Sequence, residues 1–136
     1  MEWKPIGPHL YCIDGDIVLW KGQGEITVAH HTELFGLVMG IVREYGHAGM
    51  VAWADREMIL GPEARRNHGV LLKQHKPRVA MVLLGAGTVQ RALGRMMITA
   101  AQLISGLDLP MHFCKTEAEG RAWLAATLRP RSALQK

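Results

Sequence analysis

Two runs without a single polar side chain, Met50–Ala54 (MVAWA) and Val79–Leu84 (VAMVLL), constrain this chain more than any other feature. A strand that is apolar on both of its alternating faces must be covered on both, as an inner strand of a parallel sheet flanked by helices is. The segments around these runs read as those helices. Leu34, Leu37, Val38, Ile41, Val42 and Tyr45 form one continuous apolar stripe at helical spacing, with Thr27 or Thr32 as its cap and Gly46 at its C-terminal end. Gly61-Pro62-Glu63 opens a second helix that runs to about His75, where Pro77 stops it. Gly85-Ala86-Gly87 turns into a third, capped by Thr88 and ended by Gly106. Its apolar face comprises Val89, Leu93, Met96, Met97, Ala100, Leu103 and Ile104, opposite a strip of Arg91, Arg95 and Gln102.

Shorter signals complete the order. Met1–Pro8, with two prolines and a glycine, reads as an extended lead-in. His9–Ile13 and Ile17–Lys21 read as strands joined by an Asp14-Gly15-Asp16 hairpin turn. Gly22–Gly24 breaks the second strand, and Asp55–Gly61 reads as a loop. Met111–Cys114 is the last strand. Thr116-Glu117-Ala118-Glu119 is a capping box for a final helix carrying Ala118, Ala122, Trp123 and Ala126. The expected fold is therefore α/β, in the order β-β-α-β-α-β-α-β-α. It has four helices and a five-stranded mixed, mostly parallel sheet, with parallel strands beginning near Ile17, Met50, Val79 and Met111. Residues 1–136 read as a single domain with a core over about 9–128 and a basic tail over 129–136.

Composition removes several classes. With 49% hydrophobic and 21% charged residues the chain is globular rather than disordered or fibrous. Two cysteines far apart in sequence make neither a disulfide framework nor a zinc set. No apolar stretch reaches the ~18 residues of a membrane span, and the N-terminus lacks a signal-peptide layout. A cytoplasmic protein without integral membrane association is expected. The charge is asymmetric: residues 1–60 carry four basic and eight acidic side chains, residues 61–136 twelve and four. The basic excess includes Arg65, Arg66, Lys73, Arg91 and Arg95. No aromatic residues interleave with it as stacking platforms, so it reads as solvated helix surface and no nucleic acid is expected.

The element order, the tight turn after VAMVLL and the closing FCKTEAEGRAWL (Phe113–Leu124) resemble the STAS domains. The resemblance is to the SpoIIAA-like group, whose architecture is shared with a class of lipid-binding domains, and it covers about residues 9–128. It implies a regulatory or protein-interaction role without catalysis. In anti-sigma-factor antagonists of this type a Ser or Thr near the start of the helix after the third strand is phosphorylated. The corresponding stretch here, Asp55–Glu63, has no hydroxyl, so a phospho-switch at that place is not expected.

The candidate sites are few. Gly85-Ala86-Gly87-Thr88-Val89-Gln90 begins like a dinucleotide fingerprint, but Gln90 stands where the third glycine belongs and no acidic residue closes the following strand. No cofactor is expected. Gly85, Gly87 and Thr88 remain candidates for a partner or an anionic ligand at a helix start. Asp55, Arg56 and Glu57 follow a central strand at its C-terminal end, where open α/β sheets place ligands. Seven histidines show neither H-x-x-x-H nor C-x-x-C spacing, so they read as surface and boundary residues, and no metal site is expected. His112 and Cys114 share a strand face, and His68 and His75 one side of a helix. Ser105 and Ser132 lack a nucleophile-elbow context. Gly36-x-x-x-Gly40 reads as close helix-on-sheet packing. At 100° per residue Met96 and Ile98 lie about 200° apart, so they cannot both face the sheet. Arg95, Met97 and Ile98 are thus candidates for self-association, and a homodimer is expected. Three functions stay open: an interaction domain with an unknown protein partner, a carrier or sensor of a small apolar or lipid-like ligand, and an enzyme using Asp55–Glu57.

Overall fold

The computed structural model describes residues 2–53 and 59–128. Asp55, Arg56 and Glu57, and the basic tail 129–136, lie outside the described residues. In chain order the elements are β1 (Lys4–Ile6), β2 (His9–Asp14), β3 (Ile17–Lys21), β4 (Glu25–Ile26), α1 (Val28–Tyr45), β5 (Ala48–Trp53), β6 (Ile59–Leu60), α2 (Pro62–His75), β7 (Val79–Leu84), α3 (Thr88–Ser105), β8 (Met111–Cys114) and α4 (Glu117–Thr127).

The main sheet has the strand order β1-β2-β3-β5-β7-β8. β1, β2 and β3 pair antiparallel, and β3, β5, β7 and β8 are parallel. The α/β class, the four helices and the mostly parallel sheet agree with the sequence. The strand number does not: six strands pair where five were expected. The extra one is β1, hidden in the lead-in because Pro5 lacks an N–H and argues against a strand, although an edge position tolerates it. A separate parallel pair joins β4, just after the Gly22–Gly24 break, to β6, inside the segment that reads as a loop. β5 begins at Ala48, ahead of the expected Met50. Thr27 is the cap of α1: its side chain accepts from the His30 N–H. Thr116 caps α4 by accepting from the Glu119 N–H.

Strand alternation sorts the core into two faces. Val18, Trp20, Ala48, Ala52 and Leu83 point towards α1 and α2. Cys12, Leu19, Val51, Val82 and Cys114 point to the other side, where Leu124 of α4 and Leu128 just beyond it cover them. A third cluster, with Phe35, Leu72, Ala101 and Leu109, fills the space among α1, α2 and α3. One face thus carries three helices and the other carries α4 alone.

That single helix lies close to the sheet. A Cβ added at Gly120 would sit 2.8 Å from Val82 Cγ1, and one added at Gly49 would sit 3.1 Å from Leu124 Cδ1. The buried stripe of α4 is Gly120, Leu124 and, at its cap, Leu128, while Ala118, Ala122 and Ala126 stay at the surface. Arg121 anchors the helix from outside, donating to Asp14 and Glu117 at 2.8 Å each. Arg78 donates to the Thr127 and Leu128 carbonyls at its C-terminal end. The Gly36-x-x-x-Gly40 spacing has a different outcome from the one expected. Gly36 is exposed with nothing within 4 Å of its missing Cβ, so it does not serve close packing on the sheet.

These two glycines give opposite expectations for one substitution. Gly120→Ala forces an overpacked contact with Val82 and should destabilise by about 1–3 kcal/mol, offset in part by helix propensity. Gly36→Ala meets open space and should stabilise by about 0.5–1 kcal/mol. Urea-unfolding midpoints of the two variants check this. A Gly120→Ala midpoint at or above that of the wild type would remove the close approach of α4.

Candidate functional site

α3 is set in place by its two neighbours and by the turn before it. Gly85 takes φ 71°, a left-handed conformation that an L side chain adopts only at a cost. The helix cap is Gly87 rather than the expected Thr88, which is the first helical residue. Gln90 reaches back, and its Oε1 accepts from the Gly87 N–H at 3.0 Å. The residue that breaks the dinucleotide fingerprint therefore occupies a donor at the helix start. At the far end Ser105 donates to the Ala101 carbonyl at 2.6 Å and accepts from the Leu107 N–H at 3.2 Å, a structural role for the serine nearest the centre of the chain.

The helix presents three faces. Its inward stripe includes small residues: the half-buried Gly94 lies against Met111 and Phe113, and Ala101 and Ser105 are buried. On the α2 side Ile104 packs onto Gly69, where an added Cβ would sit 2.9 Å from its Cδ1. Small side chains let α3 approach α2 and the sheet edge, and this rotates its larger side chains outward. Val89 (71% exposed), Leu93, Met96 (68%) and Leu103 (82%) form an outer stripe facing solvent. They belong to the face that the sequence assigns to the core. Met97 and Ile98 instead pack against buried residues.

The third face opposes β8 across an open groove of about 610 Å³. Arg91, Arg95, Ile98 and Gln102 form one wall; Met111 and Phe113 form the other, with Asp108 at one end. The Arg91 and Arg95 guanidinium carbons lie 5.6 and 5.3 Å from the centroid of the Phe113 ring. This cation–π stacking holds both cations along one edge of the sheet. Arg91 Nε also donates to the Ala86 carbonyl at 3.1 Å, fixing the turn. The fold thus brings Gly85, Gly87 and Thr88 to the same end of the molecule as Arg91 and Phe113. Arg95 lies on the groove, whereas the outer stripe is built from residues other than Met97 and Ile98.

The cysteines and histidines take other places. Cys12 and Cys114 are buried. Burial, and then Glu119, push the Cys114 thiol up, away from a reactive thiolate. His112 does share a face with Cys114 and stacks on Trp123 with ring centroids 5.1 Å apart. Among the described residues no group of three or more His, Cys, Asp or Glu could hold a metal ion.

Two histidine pairs flank the first turn of α1, where the sequence showed only surface and boundary residues. His9, His31 and His47 are in fact buried. His9 Nδ1 accepts from the Gln23 N–H at 2.9 Å, so neutral His9 carries its proton on Nε2 and donates it to His30 Nδ1 at 3.2 Å. His31 Nε2 meets His68 Nδ1 at 2.9 Å, joining α1 to α2. The adjacent His30 and His31 therefore point to different partners. Their pairing was not legible because neither His9 nor His68 stands near α1 in sequence. His47 contacts Asp16 at 2.8 Å.

Burial, and then the charge of His68, lower His31 to about 3, and burial lowers His68 to about 4. Both rings are then neutral in the folded state, while unfolded histidine titrates near 6.5. As pH falls through 6.5 the unfolded chain takes up protons that the folded one refuses until about pH 4, so this stability is present above 6.5 and is lost towards acid. Urea midpoints should fall between pH 6.5 and 5, and a His31→Gln/His68→Gln double variant should fall less steeply. Equal slopes for variant and wild type would exclude the pair as the cause.

Comparison with protein-family models, with curated proteins and with solved structures returns no match to this chain.

Proposed function

We propose that this chain is a non-catalytic protein-interaction domain of the STAS type that pairs with a second copy of itself through the outer face of α3. One observation carries the reading: four large apolar side chains, Val89, Leu93, Met96 and Leu103, lie along one helix stripe in contact with solvent. Withdrawing such a side chain from water is worth ~1.5–3 kcal/mol. Two copies contribute eight, against an association cost of roughly 4–15 kcal/mol. The stripe suits a two-fold arrangement. Two antiparallel copies of α3 set Val89 against Leu103 at both ends and Met96 near the centre, and the exposed Ala92 and Ala100 allow the helices to approach. The groove lining supports an interaction role over a lipid carrier, since Arg91, Arg95, Gln102 and Asp108 suit a polar or anionic partner better than an acyl chain.

Sedimentation analysis tests the pairing. Wild-type protein should sediment as a dimer at micromolar concentration, and Met96→Glu/Leu103→Glu should sediment as a monomer with unchanged circular dichroism. Ile98 is unsuitable for this purpose because it packs into the helical layer. A wild-type monomer at roughly 100 µM, where a micromolar complex of about −8 kcal/mol would be formed, removes the proposal.

A further inference from the structure

The two free edges of the main sheet differ. At one end stands β1, three residues long, in which Lys4 and Pro5 supply a charge and a missing N–H. Both features discourage another strand from adding there. At the other end stands β8, Met-His-Phe-Cys, with neither a charge nor a proline among its four residues. Its inner side is paired to β7, with Met81 opposite Met111 and Leu83 opposite Phe113. The Pro110 carbonyl accepts from the Met81 N–H and the Cys114 carbonyl from the Gly85 N–H. In a parallel ladder the main-chain groups alternate in direction, so those of Pro110, His112 and Cys114 turn inward, and those of Met111 and Phe113 turn to the open side. These outward groups border the α3–β8 groove.

The wall facing them is cationic. Arg95 is exposed, and among the described residues neither it nor Arg91 has a carboxylate within ion-pairing distance. Both are held over Phe113 rather than free in solvent, which lowers the ordering cost of binding an anion. Asp108 is the acidic residue at the opposite end of the groove. A strand edge with unblunted donors and acceptors, opposed by a helix that supplies charge, is the arrangement by which extended peptides are recognised. Neither edge of a second copy suits the groove, because β8 carries no acid and β1 carries Lys4 and Pro5.

We propose that the α3–β8 groove docks an extended, acidic segment of a partner protein, which adds to β8 as a further strand while its carboxylates meet Arg91 and Arg95. Main-chain hydrogen bonds at Met111 and Phe113 supply affinity, and the two arginines select for acidic side chains at the Phe113 end. This surface is separate from the outer stripe of α3, so it goes beyond the self-pairing reading and can fail without it.

Fluorescence polarisation with three labelled octapeptides tests the proposal: alternating Glu and Val, alternating Lys and Val, and the Glu–Val peptide with a central proline. The Glu–Val peptide should bind at least tenfold tighter than the Lys–Val one, because charge-assisted hydrogen bonds to guanidinium are lost and repulsion replaces them. Proline should weaken binding by roughly tenfold at almost unchanged charge, because it removes a ladder donor. Arg95→Glu, at an exposed position, should also cost roughly tenfold, and amide exchange at Met111 and Phe113 should slow on binding. Three results would overturn the idea: no binding up to about 1 mM, where the available free energy is only about −4 kcal/mol; an affinity indifferent to proline or to Arg95→Glu; or tighter binding of a thymidine oligonucleotide than of the Glu–Val peptide. Sedimentation of the same samples keeps the outcome distinct from self-pairing, which reads the opposite face of α3.

Discussion

The parallel ladder of β3, β5 and β7 is the constraint on which the rest of the structure depends. Val18, Leu19, Val51 and Val82 in these strands are wholly withdrawn from solvent. Neither sheet face can be left wet when consecutive residues of the same strand point to both sides. Every helix position is a response to that demand. α1 and α2 cover one face, with α3 packed against α2, and α4 has to cover the other largely by itself. It can do so because Gly49 and Gly120 remove the side chains that would hold it away, so Leu124 reaches the strands directly.

What the sequence disclosed follows the same logic. The inner strands were legible because a fully apolar run has few alternatives, and the helices between them because their apolar positions recur at helical spacing. The strands that escaped detection lie at the rim. β1 contains a proline, and β4 and β6 are two residues each, too short for any period to register. The orientation of α3 escaped for a different reason. Its most apolar face, from Val89 to Leu103, reads as the core face, whereas the face turned inward carries the small Gly94, Ala101 and Ser105 beside Met97 and Ile98. Hydropathy ranks a leucine above a glycine for burial, but a helix wedged against α2 and a strand edge is placed by closeness of approach.

The same distinction governs the candidate site. Arg91 and Arg95 are visible in the sequence as a basic strip, and β8 as a short strand. Their juxtaposition needs the strand order of the sheet, which leaves β8 outermost, and the rotation of α3, which turns the strip towards it. The histidines are a parallel case. His30 and His31 look like an adjacent pair, yet the helix sends one to β2 and the other to α2, and each meets a partner more than twenty residues away. In both places the chemistry resides in contacts between segments, and only local contacts can be read along a chain.

The solitary position of α4 has a consequence for how the protein is made. Ribosomes release the chain from its N-terminus, and β1, β2, β3, β5 and β7 emerge in the order in which they stand side by side in the main sheet, so each can pair as it appears. One side of that nascent sheet closes as α1 and α2 arrive. The other, bearing Cys12, Leu19, Val51 and Val82, stays bare until Leu124 and Leu128 are synthesised. Until then that side of the sheet is an unshielded apolar surface, open to contact with other incomplete chains.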